Sequence, residues 1–265
     1  MLGGIHVRRE LVKRAVPAVI AGVCLLVPAQ SPAEQTATLH ASFTPDRLGA
    51  STTIGFSFNI ARVGGGLPAP LTAISLRLPA GINYLSTTLG LAICQPQALL
   101  RSGLGGCSPN SRLGFGSAKV EVPFGTGSGR ELPNVQALMG PPHNGNIVVL
   151  FYANGLEPVY AQIVFAGELI AGSQTLGGSL NAAVPLIASV PAGPPVSIIG
   201  AQTSIGPAGL TYYEHVHGRT ISFHPKGVSV PDHCPRGGFV FSAQFAFQDG
   251  TRAAASSAVP CPKRR

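Results

Sequence analysis

The sequence predicts an all-β protein, an antiparallel β-sandwich, on three observations. Hydrophobic residues make up 45% of the 265 residues but occur in many short runs, interrupted by 34 glycines and 24 prolines. Several runs alternate apolar and polar residues with a period of two, the pattern of a strand with one buried face. Only 11% of the residues are charged, so the chain can bury enough apolar surface to order itself.

Residues 1–33 have the organisation of a secretory signal peptide and are left out of fold prediction. Basic residues between 8 and 14 precede an apolar run at 15–27, which is too short to span a hydrocarbon core of about 30 Å. Ala29 and Ala33 offer cleavage points, so no transmembrane segment is expected after processing. The Arg8-Arg9 pair is compatible with either Sec or twin-arginine export.

The remaining residues, 34–262, are expected to form the β-sandwich domain with about a dozen short strands. An alternative arrangement is two fused immunoglobulin-like lobes. In that case the boundary is expected near 125–135, because the glycine-rich stretch 125–130 predicts a flexible loop.

The clearest predicted strands lie at the C-terminus and in the middle of the chain. Four phenylalanines share one face of a strand near the C-terminus: Phe239, Phe241, Phe245 and Phe247. Asp249-Gly250 follows, a pair that suits a tight hairpin turn. Residues 147–153 are apolar on both faces, which predicts a central strand covered on both sides.

One short helix is predicted between Cys94 and Cys107. Pro96 suits its first turn and Gly103 can end it. A helix of one or two turns is marginal alone, so a disulfide between the flanking cysteines is expected to staple it.

The four cysteines after residue 33 indicate disulfides, because an even number in an exported chain is typical of a disulfide framework: Cys94, Cys107, Cys234 and Cys261. Of the three connectivities, local pairing of 94 with 107 and of 234 with 261 is favoured. Loop closure predicts stabilisation of about 3 and 3.5 kcal/mol. We expect the second bridge to contribute more, because it clamps the aromatic hairpin whereas the first tethers a short surface helix.

Several turns and cysteines form a recognisable set: 78–81, Cys94, 107–111, 114–118, Cys234-Pro235, Phe245, Asp249-Gly250 and Cys261. In these features the chain resembles a loose family of uncharacterised exported β-rich proteins of high-GC Gram-positive bacteria. It implies export and a β-rich fold, and no activity.

Signatures of common catalytic sites are missing, including G-x-S-x-G, H-E-x-x-H, Walker and G-x-G-x-x-G motifs. Nine Asp and Glu follow residue 33, against 14 Lys and Arg, for a net charge of +5. The basic residues form no run interleaved with aromatics, so nucleic-acid binding is not expected. Whether the protein is an enzyme stays open, with a non-enzyme favoured.

One cluster of histidines is a candidate metal site: His215, His217, His224 and His233. On a strand, His215 and His217 point to the same side, a spacing that metal sites use. Zinc or copper is the metal that such a cluster suggests. The alternative is an exposed edge strand followed by a turn, with no cofactor.

The function that the sequence favours is a secreted or cell-envelope-associated, non-catalytic module that binds an envelope polymer or a protein partner. Association with the cell wall is compatible with the modest positive charge. The alternative is a metal-binding protein or metal-dependent extracellular enzyme that uses the histidine cluster.

Overall fold

The computed structural model describes residues 34–82, 88–157, 160–172 and 177–262, so the predicted signal peptide lies outside the described residues. The strands are β1 (Gln35–Thr44), β2 (Ser51–Arg62), β3 (Leu71–Arg77), β4 (Arg112–Phe124), β5 (Gly127–Glu131), β6 (Asn134–Met139), β7 (Ile147–Gly155), β8 (Ala161–Ile170), β9 (Ser179–Ala183), β10 (Ser197–Ile205), β11 (Tyr212–Val216), β12 (Arg219–Phe223), β13 (Val228–Ser229), β14 (Phe239–Phe247) and β15 (Arg252–Val259). Helix α1 (Pro96–Ser102) and two short 3-10 turns, Gly103–Gly106 and Pro109–Ser111, lie between β3 and β4.

Thirteen of these strands form one antiparallel sheet with the order β1-β2-β10-β4-β6-β7-β8-β9-β3-β14-β15, in which β13 also pairs with β2 and β5 with β4. The terminal strands of this order lie side by side, since the backbone N–H of Ala41 in β1 donates to Ser257 Oγ in β15 at 3.1 Å. The sheet therefore curls into a near-barrel. A separate hairpin, β11–β12, lies outside it.

Inward-facing aromatic side chains from the strands on the two sides of the seam pack against each other. Phe56 of β2 contacts Phe241 of β14 with ring centroids 5.3 Å apart. Phe43 and Phe239 approach equally closely, at 5.3 Å. The four phenylalanines of β14 are buried, as their alternation predicts. The predicted all-β, antiparallel class is confirmed.

Helix α1 covers the outer face of the sheet over β7. Leu99 is 0% exposed and belongs to a cluster with Val148, Leu150 and Tyr152, which point outward from β7. The inward-facing residues of β7 border the interior, so the central strand is covered on both sides, as predicted. The helix is stapled by Cys94–Cys107, also as predicted. It buries a core cluster of its own, which corrects the expectation of a loosely held surface helix.

The C-terminal hairpin pairs β14 with β15 and also joins β3, so it is integrated into the sheet. Its open end carries the second disulfide, Cys234–Cys261. No helix in the described part of the chain is long and apolar enough to cross a membrane. The two disulfides are compatible with an extracellular protein.

The stretch 125–130, which the sequence predicts as a flexible loop within the possible lobe boundary at 125–135, is largely strand. It contains most of β5, which pairs with β4 between Val120 and Phe124. Arg130 donates to Glu121 Oε1 through Nη2 at 2.7 Å, and Ser128 Oγ donates to Glu121 Oε2 at 3.0 Å. These contacts order the hairpin, and the sheet continues through it to β6.

Candidate functional site

An apolar cavity of about 270 Å³ occupies the interior of the near-barrel sheet. The period of two along each strand builds it, because alternate residues point inward from every wall. Residues 149, 151 and 153 line it from β7, and residues 161, 163 and 165 line it from β8. The same alternation that folds the sheet therefore also lines the cavity with hydrocarbon.

The cavity differs from the packed interior beside the seam. Inward-facing side chains such as Phe58, Phe151 and Ile163 are only half-buried, whereas Phe241 is fully buried. Protein interiors normally pack without voids larger than a water molecule. Half-buried large apolar side chains inside a closed wall thus mark space that an apolar molecule can fill.

The lining extends along the strands far enough for an elongated ligand. On β7 it runs from Val149 to Gly155, which is about 20 Å at 3.4 Å per residue. Half the thickness of a bilayer hydrocarbon core, the depth that one acyl layer fills, is about 15 Å. The apolar lining is therefore long enough to accommodate an extended alkyl chain.

Two polar side chains, Thr203 and Glu131, interrupt the lining among the described residues. Glu131 is 8% exposed, and its Oε1 has no hydrogen-bond partner among the described residues. Burial raises the pKa of this carboxyl, while the backbone amides of Leu156 and Glu157 act in the opposite direction. An acceptor buried without a partner is unfavourable, so Glu131 is the polar feature of the cavity that needs a role.

Glu131 lies at the end of the sheet that we call the loop end, defined by the described residues of the connections between strands there: 63–70, 125–126, 132–133, 156–157, Tyr160, 184–196 and 248–251. Large apolar side chains are exposed in or beside these connections: Val63, Phe124, Leu132, Leu156, Tyr160, Leu186 and Val190. A concentration of exposed apolar groups at one place is typical of a binding surface. The loop end thus combines the polar group of the cavity with an apolar rim.

The four histidines of the predicted metal cluster lie on separate features. His215 is exposed on β11, where its Nδ1 lies 3.1 Å from Thr220 Oγ1. His224 Nδ1 donates to the backbone oxygen of Leu210 at 2.8 Å. His233 is exposed in the segment before Cys234.

The predicted placement of His217 on the same strand face as His215 is wrong. Strand β11 ends at Val216, and His217 has a φ of 49° in the turn that follows. The alternation that would place it beside His215 therefore stops one residue too early. In the described part of the chain, no three His, Cys, Asp or Glu side chains are grouped to hold a metal ion.

Replacing His215 by glutamine and His217 by asparagine is expected to leave the melting temperature unchanged, with or without added zinc or copper. Both positions are exposed, where substitutions usually change stability by less than about 0.5 kcal/mol, and asparagine tolerates the positive φ at 217. Thermal unfolding with each metal and with a chelator measures this. A metal-dependent rise in the wild type that the double variant abolishes would instead support the metal-binding alternative, because a bound metal stabilises the folded state.

Sequence reasoning did not identify Glu131 as a site residue. It follows a glycine-rich stretch and precedes Leu132-Pro133, so no strand alternation marks which way it points. Its register against Val120, an inward residue, turns it into the cavity. The one feature of the sequence that could have drawn attention to Glu131 is the small number of carboxylates in an apolar chain.

No protein-family model, curated protein or solved structure matches this chain.

Proposed function

We propose that the mature chain, exported after removal of residues 1–33, is a non-catalytic binding protein of the cell envelope that holds an apolar ligand inside the near-barrel sheet. The observation that carries the proposal is the apolar cavity. This proposal replaces the partner expected from the sequence, an envelope polymer or a protein, with a small molecule that has an extended hydrocarbon part. The export predicted from residues 1–33 and the predicted resemblance to exported proteins favour a ligand among the poorly soluble molecules outside the cytoplasm.

The hydrophobic effect supplies the affinity. Each methylene that leaves water for the cavity contributes about 0.8 kcal/mol, so affinity is expected to rise roughly fourfold per methylene. The rise should stop once the chain is as long as the cavity. The apolar rim of the loop end favours this end as the entry, because it shields a hydrocarbon chain from water during uptake.

The experiment uses the mature protein, stripped of bound lipid and loaded with the fluorescent apolar probe N-phenyl-1-naphthylamine. Straight-chain alcohols of eight to eighteen carbons are titrated against the probe. We expect displacement at progressively lower concentration with each added methylene and then a plateau. Binding without this length dependence would mean a surface contact, and the proposal would be wrong.

A matched pair of variants tests whether the cavity is the binding place. Ala201 lines the cavity, and Ala201→Phe places a phenyl ring inside it. Ala183 is exposed on β9, and Ala183→Phe makes the same chemical change outside. We expect at least a tenfold loss of alcohol binding in the first variant and no loss in the second. Equal affinities of the two variants for the alcohols would contradict a ligand held inside the sheet. Retention of the protein on cell-wall polymer would then favour the partner expected from the sequence, an envelope polymer.

A further inference from the structure

We propose that Glu131 sets the ligand class of the cavity: an amphiphile whose polar end donates a hydrogen bond, such as a long-chain amine, with Glu131 Oε1 as the acceptor. This inference rests on the proposed function and adds the polar half of the ligand to it. It assigns a recognition role to the single charged side chain among the described residues that line the cavity.

The geometry around Glu131 separates it from the ordinary surface carboxylates. The preceding residue, Arg130, points to the other face of β5 and pairs with Glu121 at 2.7 Å. Glu131 itself turns inward and has no ion-pair partner among the described residues. Arg130, the cation nearest in sequence, thus pairs with Glu121 and not with Glu131. The Glu131 carboxyl lies among the apolar residues that line the cavity.

The surrounding backbone makes room for this carboxyl. A Cβ added at Gly155 would lie 2.1 Å from Glu131 Oε1, so a larger residue at 155 would displace the carboxyl from this position. The amides of Leu156 and Glu157 hydrogen-bond to the same carboxyl. Glycine at 155 therefore leaves space for the group and the amides after it donate to it, while Oε1 has no donor among the described residues.

The partner that Glu131 Oε1 needs is a hydrogen-bond donor. Leaving a buried acceptor unpaired is unfavourable, and hydrogen bonds to a charged acceptor are stronger than those between neutral groups. An ammonium or hydroxyl at the end of the alkyl chain supplies the donor when the chain fills the cavity. A fatty-acid carboxylate brings a second acceptor of the same charge, which the site disfavours.

The test compares two probes with the same twelve-carbon chain and opposite charge, dodecylamine and dodecanoate, in displacement of N-phenyl-1-naphthylamine at pH 7.5. 1-Dodecanol serves as the neutral reference. We expect dodecylamine to displace the probe at a concentration at least about tenfold lower than dodecanoate. The Glu131→Gln variant should reduce this ratio to within about threefold, or reverse it.

Two further variants make the result specific. Glu34→Gln removes an exposed carboxylate beside the loop end and should leave the ratio unchanged, which excludes a general effect of negative charge at the rim. Glu131→Leu removes the acceptor and keeps the lining apolar, so it replaces Glu131→Gln if that variant fails to fold. An unchanged amine preference in either Glu131 variant overturns the role of Glu131.

The outcomes separate this inference from the proposed function. If none of the three twelve-carbon probes displaces the fluorescent probe from the wild type, the proposed function fails. If all three displace it equally well, the cavity binds hydrocarbon and only the selection by Glu131 is overturned.

Discussion

Replacing Phe241 by alanine is expected to lower the free energy of unfolding by about 3–5 kcal/mol. Its side chain is 0% exposed and contacts Phe43 of β1 and Phe56 of β2 across the seam, with ring centroids 5.9 Å and 5.3 Å away. The hydrogen-bonded walls cannot collapse fully into the space that the ring leaves. Urea unfolding followed by circular dichroism measures the change, with the denaturant slope checked for two-state behaviour.

Val240 provides the control on the same strand. Its side chain points outward and is 51% exposed, so Val240→Ala is expected to change the free energy of unfolding by less than about 0.5 kcal/mol. Equal losses in the two variants would mean that the walls beside the seam do not pack against each other.

Removing the Cys94–Cys107 bridge by replacing both cysteines with alanine is expected to cost more stability than removing Cys234–Cys261. The loop terms are similar, about 3 and 3.5 kcal/mol. The difference comes from Leu99, which is fully buried against β7 and loses its tether with the first bridge. Burial of one such side chain contributes about 1.5–3 kcal/mol.

Removing the Cys234–Cys261 bridge is expected to release less structure, because β14 stays hydrogen-bonded to β3 and Cys261 is already exposed. The sequence predicted the opposite order of the two stability losses, because it did not show which residues the helix packs against. Unfolding of both double-alanine variants in urea compares the two losses, after peptide mapping confirms the pairing in the wild type. A larger loss for Cys234–Cys261 would restore the original order.

Local pattern was enough to predict the strands and their faces. The alternation of phenylalanines in β14 and the two apolar faces of β7 both follow from side-chain periodicity, which depends only on neighbours in the sequence. The helix and the pairing of the cysteines follow from short spacings of the same kind. Each of these features is decided within about thirty residues.

Features decided by distant contacts could not be predicted in the same way. The curling of one sheet into a near-barrel depends on which strands become neighbours, and β2 pairs with β10 across more than a hundred residues. The cavity exists only after that closure, and Glu131 acquires its environment from it. The metal hypothesis depended on a strand that in fact ends at Val216.

The seam between β1 and β15 has a consequence for the order of folding. The hydrogen bond from Ala41 to Ser257 joins positions 216 residues apart, so the interior cannot be sealed until β15 has been synthesised. Contacts of such long range close slowly, because chain entropy is lost before the contacts form. Until then the edges of β1 and β3 stay unpaired, and unpaired edges recruit other chains. The newly made polypeptide therefore passes through a stage in which it depends on protection from aggregation.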